Sequence, residues 1–273
     1  MAENVKRVLF VNSEMCPYLP ESDIATIARQ LPQSIQEKKK EIRSFMPRYG
    51  FINERKNQLH EVIRLSGMNI IISDVDHPLI IKVASISSAR IQVYFIDNED
   101  YFRRRQMFSD ASGKFFPDND ERAVFFARGV LETTKKLRWA PDIIHCQGWI
   151  SHLVPAYLKK AYRDDPIFSS SKVVLSLYDD LPDGKFSSDF AKKAEFGGLH
   201  REDLPHLEGT PGGVELAKTA ISYADGLIFG SASVDAGLAA FGKSLGLPAL
   251  AFDAKALADG SYTEAYNAFY DSI

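Results

Sequence analysis

The alternation of compact apolar runs with amphipathic segments constrains the fold of this 273-residue chain more than any other feature. Val5 to Val11 is an apolar run carrying the basic pair Lys6 and Arg7, as in a strand covered on both faces of a parallel sheet. Ile24, Ile27, Ala28, Leu31 and Ile35 then recur at helical spacing, and Ser22 or Asp23 can cap the first turn through a side-chain oxygen. Glu41 to Met46 reads as a second strand, closed by Pro47 and the turn Arg48-Tyr49-Gly50, which completes a βαβ unit. The rhythm returns later, with helices at Glu121–Leu137, His152–Tyr162, Val214–Tyr223, Val234–Leu245 and Tyr262–Tyr270, and strands at Asp142–Cys146, Lys172–Leu177 and Gly226–Phe229. Such alternation implies right-handed crossovers and an α/β, Rossmann-like, doubly wound, mainly parallel sheet of about six or seven strands, with ligands beyond their carboxyl ends.

Two stretches break the rhythm. From about 58 to 97, short β-rich runs separated by turn residues predict a hairpin-rich, antiparallel insertion. From about 179 to 213 the chain is polar and rich in Gly and Pro, which predicts an irregular surface excursion with one helix at most. Without an internal repeat or a linker, residues 1–273 read as one domain.

Composition excludes several classes of function. With 45% hydrophobic residues, 25% charged residues and a formal net charge of −3, nothing supplies the clustered basic footprint of a nucleic-acid binder. The runs Lys38-Lys39-Lys40 and Arg103-Arg104-Arg105 read as solvated helix ends. No apolar run reaches the roughly 18 residues of a membrane span, so a cytoplasmic location without membrane contact is expected. Cys16 and Cys146, each beside a strand, are expected to be reduced thiols.

Single residues carry weaker signals. His200, Glu202, Asp203, His206 and Glu208 contain metal-ligand types but lack a fixed ligand pattern, so a solvated loop is the better reading and no metal is expected. Gly209 to Gly213 lacks the Gly-Lys-Ser/Thr ending of a phosphate loop and reads as a capped helix start. His145 and Cys146 are adjacent on a strand and so point to opposite faces, which favours a buried, inert thiol over a nucleophile. Trp149, Tyr178 and Tyr18 lie at strand ends, where they can pack in the core or stack on a sugar ring.

Several segments, in order, resemble the N-terminal half of glycogen and starch synthases, retaining glycosyltransferases built from two Rossmann-like halves. The resemblance is carried by Val8-Leu9 leading into Ser13-Glu14-Met15 and Pro17, by Pro47-Arg48-Tyr49-Gly50, by Asp118-Asn119 with Arg122 and Phe125-Phe126, by Pro141-Asp142-Ile143-Ile144-His145 with Trp149, Leu153-Val154-Pro155 and Tyr157-Leu158, and by Lys218, Ile221 and Ala224-Asp225. It implies one half of a GT-B architecture and a role in glucan metabolism with ADP-glucose as the donor. Glu14, Asp118, Asn119, His145, Gln147, Trp149 and Tyr178 are then the candidate glucan-cleft residues, acting by hydrogen bonding and stacking, with no catalytic proton-transfer residue among them.

The departures from that pattern argue against donor chemistry. Where the family has Lys-x-Gly-Gly-Leu to admit a diphosphate at a helix N-terminus, this chain has Pro20, Glu21, Ser22, Asp23 and Ile24. Proline offers no N–H, and each carboxylate opposes a phosphate by roughly 3 kcal/mol at close range and intermediate dielectric. In the His-x-His-Asp-Trp segment, Gln147 and Gly148 replace the second histidine and the aspartate, and Tyr178 stands for a later sugar-site histidine. The family's nucleotide-binding half is not expected within residues 1–273, since the last predicted helix ends at Tyr270. The expectation is a glucan-binding or regulatory pseudoenzyme without a cofactor. A transferase completed by a partner chain and a protein-docking module are the alternatives.

Overall fold

The computed structural model describes residues 5–273. The chain opens with β1 (Arg7–Asn12), α1 (Asp23–Glu37) and β2 (Glu41–Pro47). Ser22 caps α1, its Oγ accepting from the Ala25 N–H at 3.0 Å, and the predicted stripe Ile24, Ile27, Ala28, Leu31 and Ile35 is buried. The insertion comprises β3 (His60–Glu61), β4 (Met68–Ile72) and β5 (Val75–Ile86), and β5 runs antiparallel to β3, to β4 and to β6 (Ile91–Asp97). The antiparallel pairing thus extends to Asp97 as expected, but β6 also pairs in parallel with β2 and so belongs to the main sheet as well. The reason is burial: Val93, Tyr94, Phe95 and Ile96 are all covered, as in a core parallel strand.

The second half runs through α2 (Glu99–Phe102), α3 (Asn119–Lys136), β7 (Ile143–Gln147), α4 (Val154–Lys160), β8 (Lys172–Leu177), α5 (Phe190–Ala194) and α6 (Gly213–Tyr223). It closes with β9 (Gly226–Phe229), α7 (Ala236–Ser244), β10 (Ala249–Leu250), α8 (Ala254–Asp259) and α9 (Tyr262–Ser272). The strand order is β10-β9-β8-β7-β1-β2-β6-β5-β3, with β4 attached to β5. The chain winds outward from β1 through β2 to β6, then returns to β7 at the other side of β1 and winds outward again. This reversal makes the carboxyl ends of β1 and β7 the crevice of a doubly wound sheet. Alternate residues of β1 serve different cores, Val8 and Phe10 packing with α1 and α9, and Leu9 and Val11 joining the larger cluster that contains α3 and α6.

Two sequence-based expectations need correction. The 179–213 excursion is anchored, since Phe186, Phe190, Leu199, Leu204 and Leu207 are buried, and Lys193 reaches Asp120 at 3.1 Å and Glu121 at 2.9 Å at the start of α3. Lys38 and Lys40 do not end in water: Lys38 pairs with Glu264, and Lys40 pairs with Asp271 at 2.6 Å. α9 folds back onto that end of α1, which helical periodicity alone cannot foresee. Of the second basic run, Arg103 pairs with Glu99 at 2.9 Å and Arg104 grips both oxygens of Asp118.

Candidate functional site

At the reversal, Ser13 and Glu14 follow β1, Gly148 and Trp149 follow β7, and Tyr178, Asp179 and Asp180 follow β8. The Ser13 N–H donates to the Gln147 carbonyl at 2.9 Å, extending the β1–β7 ladder to the lip of the crevice. Gly148 adopts φ 84°, and a side chain there would collide with Ser13, so glycine serves both the left-handed turn and the close approach. Asp180 folds over this turn, one carboxylate oxygen accepting from the Trp149 N–H at 2.8 Å. From the other side, the Tyr49 hydroxyl donates to the Ser13 carbonyl at 3.0 Å. The Ser13 hydroxyl is buried without a hydrogen-bond partner.

Two carboxylates set the electrostatics. Burial pushes the Glu14 carboxyl up, against a hydrogen bond donated by the Ser22 hydroxyl at 2.8 Å. Burial also pushes Asp180 up to about 6; the Trp149 N–H opposes this and the charge of Glu14 adds to it. Ser22 therefore accepts from α1 while donating to Glu14, so the carboxylate at the start of this helix is the chain's own. Pro20, Glu21 and Asp23 add no cationic group there. An arrangement of this kind accepts hydrogen bonds from hydroxyl groups and repels phosphate.

The structure brings Glu14 and the loop 20–23 to this crevice and places most of the other predicted residues beneath it. His145 is fully buried on the α9 side, with Nε2 2.7 Å from the Ser176 hydroxyl and Nδ1 2.7 Å from the Tyr270 hydroxyl. Burial drives its pKa down to about 3, so it is a neutral core residue. Gln147 is also fully buried, donating to Asn12 Oδ1 at 2.8 Å and accepting from the Tyr178 hydroxyl at 2.9 Å. The ring of Tyr178 lies so close to Gly230 that no side chain would fit between them. Trp149 is 2% exposed, beneath Phe108, Phe115 and Phe186 at centroid distances of 4.6, 6.1 and 5.7 Å. Asn119 is buried, donating to the Phe108 carbonyl at 2.8 Å and accepting from Arg122 at 2.6 Å, and Asp118 is engaged by Arg104. A strand-end position was the sequence signal for these residues, but covering elements decide whether such a side chain reaches solvent.

Asp180 was missed in the sequence. Its one signal is an acidic residue just beyond the buried strand Lys172–Leu177. Elsewhere, Cys146 is fully buried, and in the 200–208 segment Asp203 pairs with Lys160 at 2.7 Å and Glu208 with Arg201 at 2.5 Å. Among the described residues no helix is long and apolar enough to cross a membrane.

Comparison with known proteins accounts for this frame. Glycogen synthase of Chlorobium luteolum is 38% identical over 206 residues, covering 74% of this chain and 42% of the relative. Glycogen synthase of Chlorobaculum tepidum is 38% identical over 226 residues, covering 82% of this chain and 46% of the relative. The chain thus spans less than half the length of these curated relatives. In fold it is similar to the catalytic domain of starch synthase IV from Arabidopsis thaliana bound to ADP and acarbose, with a TM-score of 0.66 at 19% identity, over 83% of this chain and 45% of that one. The doubly wound half-domain, the alignment with curated glycogen synthases and a match of residues 7–240 to the starch synthase catalytic domain together mean that the chain belongs to that family.

Proposed function

We propose that this chain is a glycogen/starch-synthase-like protein of glucan metabolism that recognises α-glucan and does not hold a sugar-nucleotide donor at the start of α1. The observation that carries this reading is the Glu14–Ser22 hydrogen bond, which puts an internal carboxylate at the helix terminus where an incoming diphosphate would have to sit. Asp180 adds a second acid across the same crevice. Carboxylates at a strand-end crevice suit the hydroxyl groups of a neutral sugar and disfavour a nucleotide's phosphates. Similarity to glycogen synthases supports α-glucan as the class of sugar.

Isothermal titration with maltooligosaccharides and with ADP-glucose tests the reading. Glucan heat without ADP-glucose heat is the expected result. Glucosyl transfer from ADP-glucose when a separate polypeptide supplying the nucleotide-binding half is added would overturn the donor-incompetent reading. Failure of every glucan to bind or to shift the melting temperature would favour a protein-docking role instead.

A further inference from the structure

The side chain of Trp149 is covered in a way that helices and strands do not explain. Two of the rings against it, Phe108 and Phe115, belong to a small hairpin closed by the Ser109–Phe115 bridge, an Asp110 N–H bond to the Lys114 carbonyl at 2.8 Å and a Phe116 N–H bond to the Phe108 carbonyl at 3.0 Å. The tip, Asp110 to Lys114, is exposed. Among the described residues, every hydrogen bond between residues 107–117 and the rest of the chain goes to Asn119, at the base of the hairpin. Beyond that base, ring contacts hold the cover down, and Phe115 meets Phe186 at 5.4 Å and the backbone of Gly184. The indole N–H of Trp149 has no acceptor among the described residues, whereas Trp139 donates its indole N–H to Glu41 at 2.9 Å. That nitrogen is not among the fully buried unpaired polar atoms, so it keeps a small opening to solvent while the ring itself is covered. The backbone of Trp149 meanwhile donates to Asp180, so the indole belongs to the residue next to the acidic crevice.

We infer that the 107–117 hairpin is a lid over a cryptic sugar-stacking subsite whose platform is the Trp149 indole. This rests on the glucan-recognition reading and deepens it. Apart from Asn119 the segment is held by ring packing and by the guanidinium groups of Arg104 and Arg122 over Phe116 and Phe108, without a ladder of hydrogen bonds, so it opens at lower cost than the sheet beneath it. Opening uncovers an aromatic face with an unused N–H donor on the residue whose backbone holds Asp180, and a pyranose ring with its hydroxyl groups uses both kinds of contact. Because only the open fraction binds, the closed lid weakens the apparent affinity in proportion to its population.

Trp149 becomes the sole tryptophan in a W139F background, since the chain contains two. Two variants then loosen the lid from opposite sides: F115A removes its ring, and G184A adds a methyl group where that ring lies. Acrylamide quenching of Trp149 is expected to rise about threefold in both, and maltoheptaose affinity to rise roughly tenfold as the open fraction grows. Melting curves confirm that each variant is folded, and G184A, which removes no core atoms, carries the test if F115A is not. Unchanged quenching in the folded variants would show that the hairpin is not a gate. Increased quenching with wild-type maltoheptaose affinity would show that the indole is not the platform. If no protein binds maltoheptaose although quenching rises, the glucan reading fails and the ligand assigned here fails with it, while the hinge remains.

Discussion

Replacing Asp180 by Asn should make the protein more stable at neutral pH, although it alters the centre of the crevice. The carboxyl of Asp180 titrates near 6 in the folded chain, pushed up mainly by burial, against about 3.9 in an unfolded one. A folded-state value above the unfolded one means that the folded protein holds the proton more tightly, so this contribution is fully present below about pH 4 and is lost as the pH rises through about 6. Roughly two pH units correspond to about 3 kcal/mol as an upper bound, and the partial exposure of Asp180 brings the expectation to about 1–2 kcal/mol. Asparagine keeps an oxygen for the Trp149 N–H and removes only the charge. For a chain of this size the gain corresponds to a rise in Tm of about 3–6 °C at pH 7.5, followed by circular dichroism or calorimetry, and to coincident melting curves at pH 4. Repeating the pair in an E14Q background should shrink the gain, because the Glu14 charge is one of the causes of the shift. An equal shift at both pH values would make the effect one of packing, and a loss of stability at pH 7.5 would refute the reasoning altogether.

Ser22→Ala removes the cap of α1 and the hydrogen bond to Glu14 together, and should lower stability by about 1 kcal/mol in urea denaturation. Tyr270→Phe leaves His145 Nδ1 without its partner and should cost about 1–2 kcal/mol at pH 7.5. The pKa of His145 is held down to about 3, so its contribution is present above about 6.5 and is lost as the pH falls toward 3; His145→Gln should flatten that part of the acid stability profile measured by tryptophan fluorescence.

The sequence by itself determined the layer architecture, because doubly covered strands and amphipathic helices leave period-specific runs that need no partner to be recognised. β2, β7, β8 and β9 fall within a residue of their predicted limits, and the Ser22 cap is where the local chemistry puts it. Elements too short to leave a period, such as β10 and α8, were invisible, and β6 looked like part of a hairpin because its second partner, β2, lies about fifty residues earlier in the chain. Tertiary structure alone decided which strand-end side chains reach solvent. His145 is sealed by Tyr270 from the far end of the chain, Trp149 by Phe108, Phe115 and Phe186, and Tyr178 by Gly230, whereas Glu14 and Asp180 are left at the lip. The physical reason is that periodicity records the face on which a side chain lies, while exposure depends on what a remote segment lays over that face.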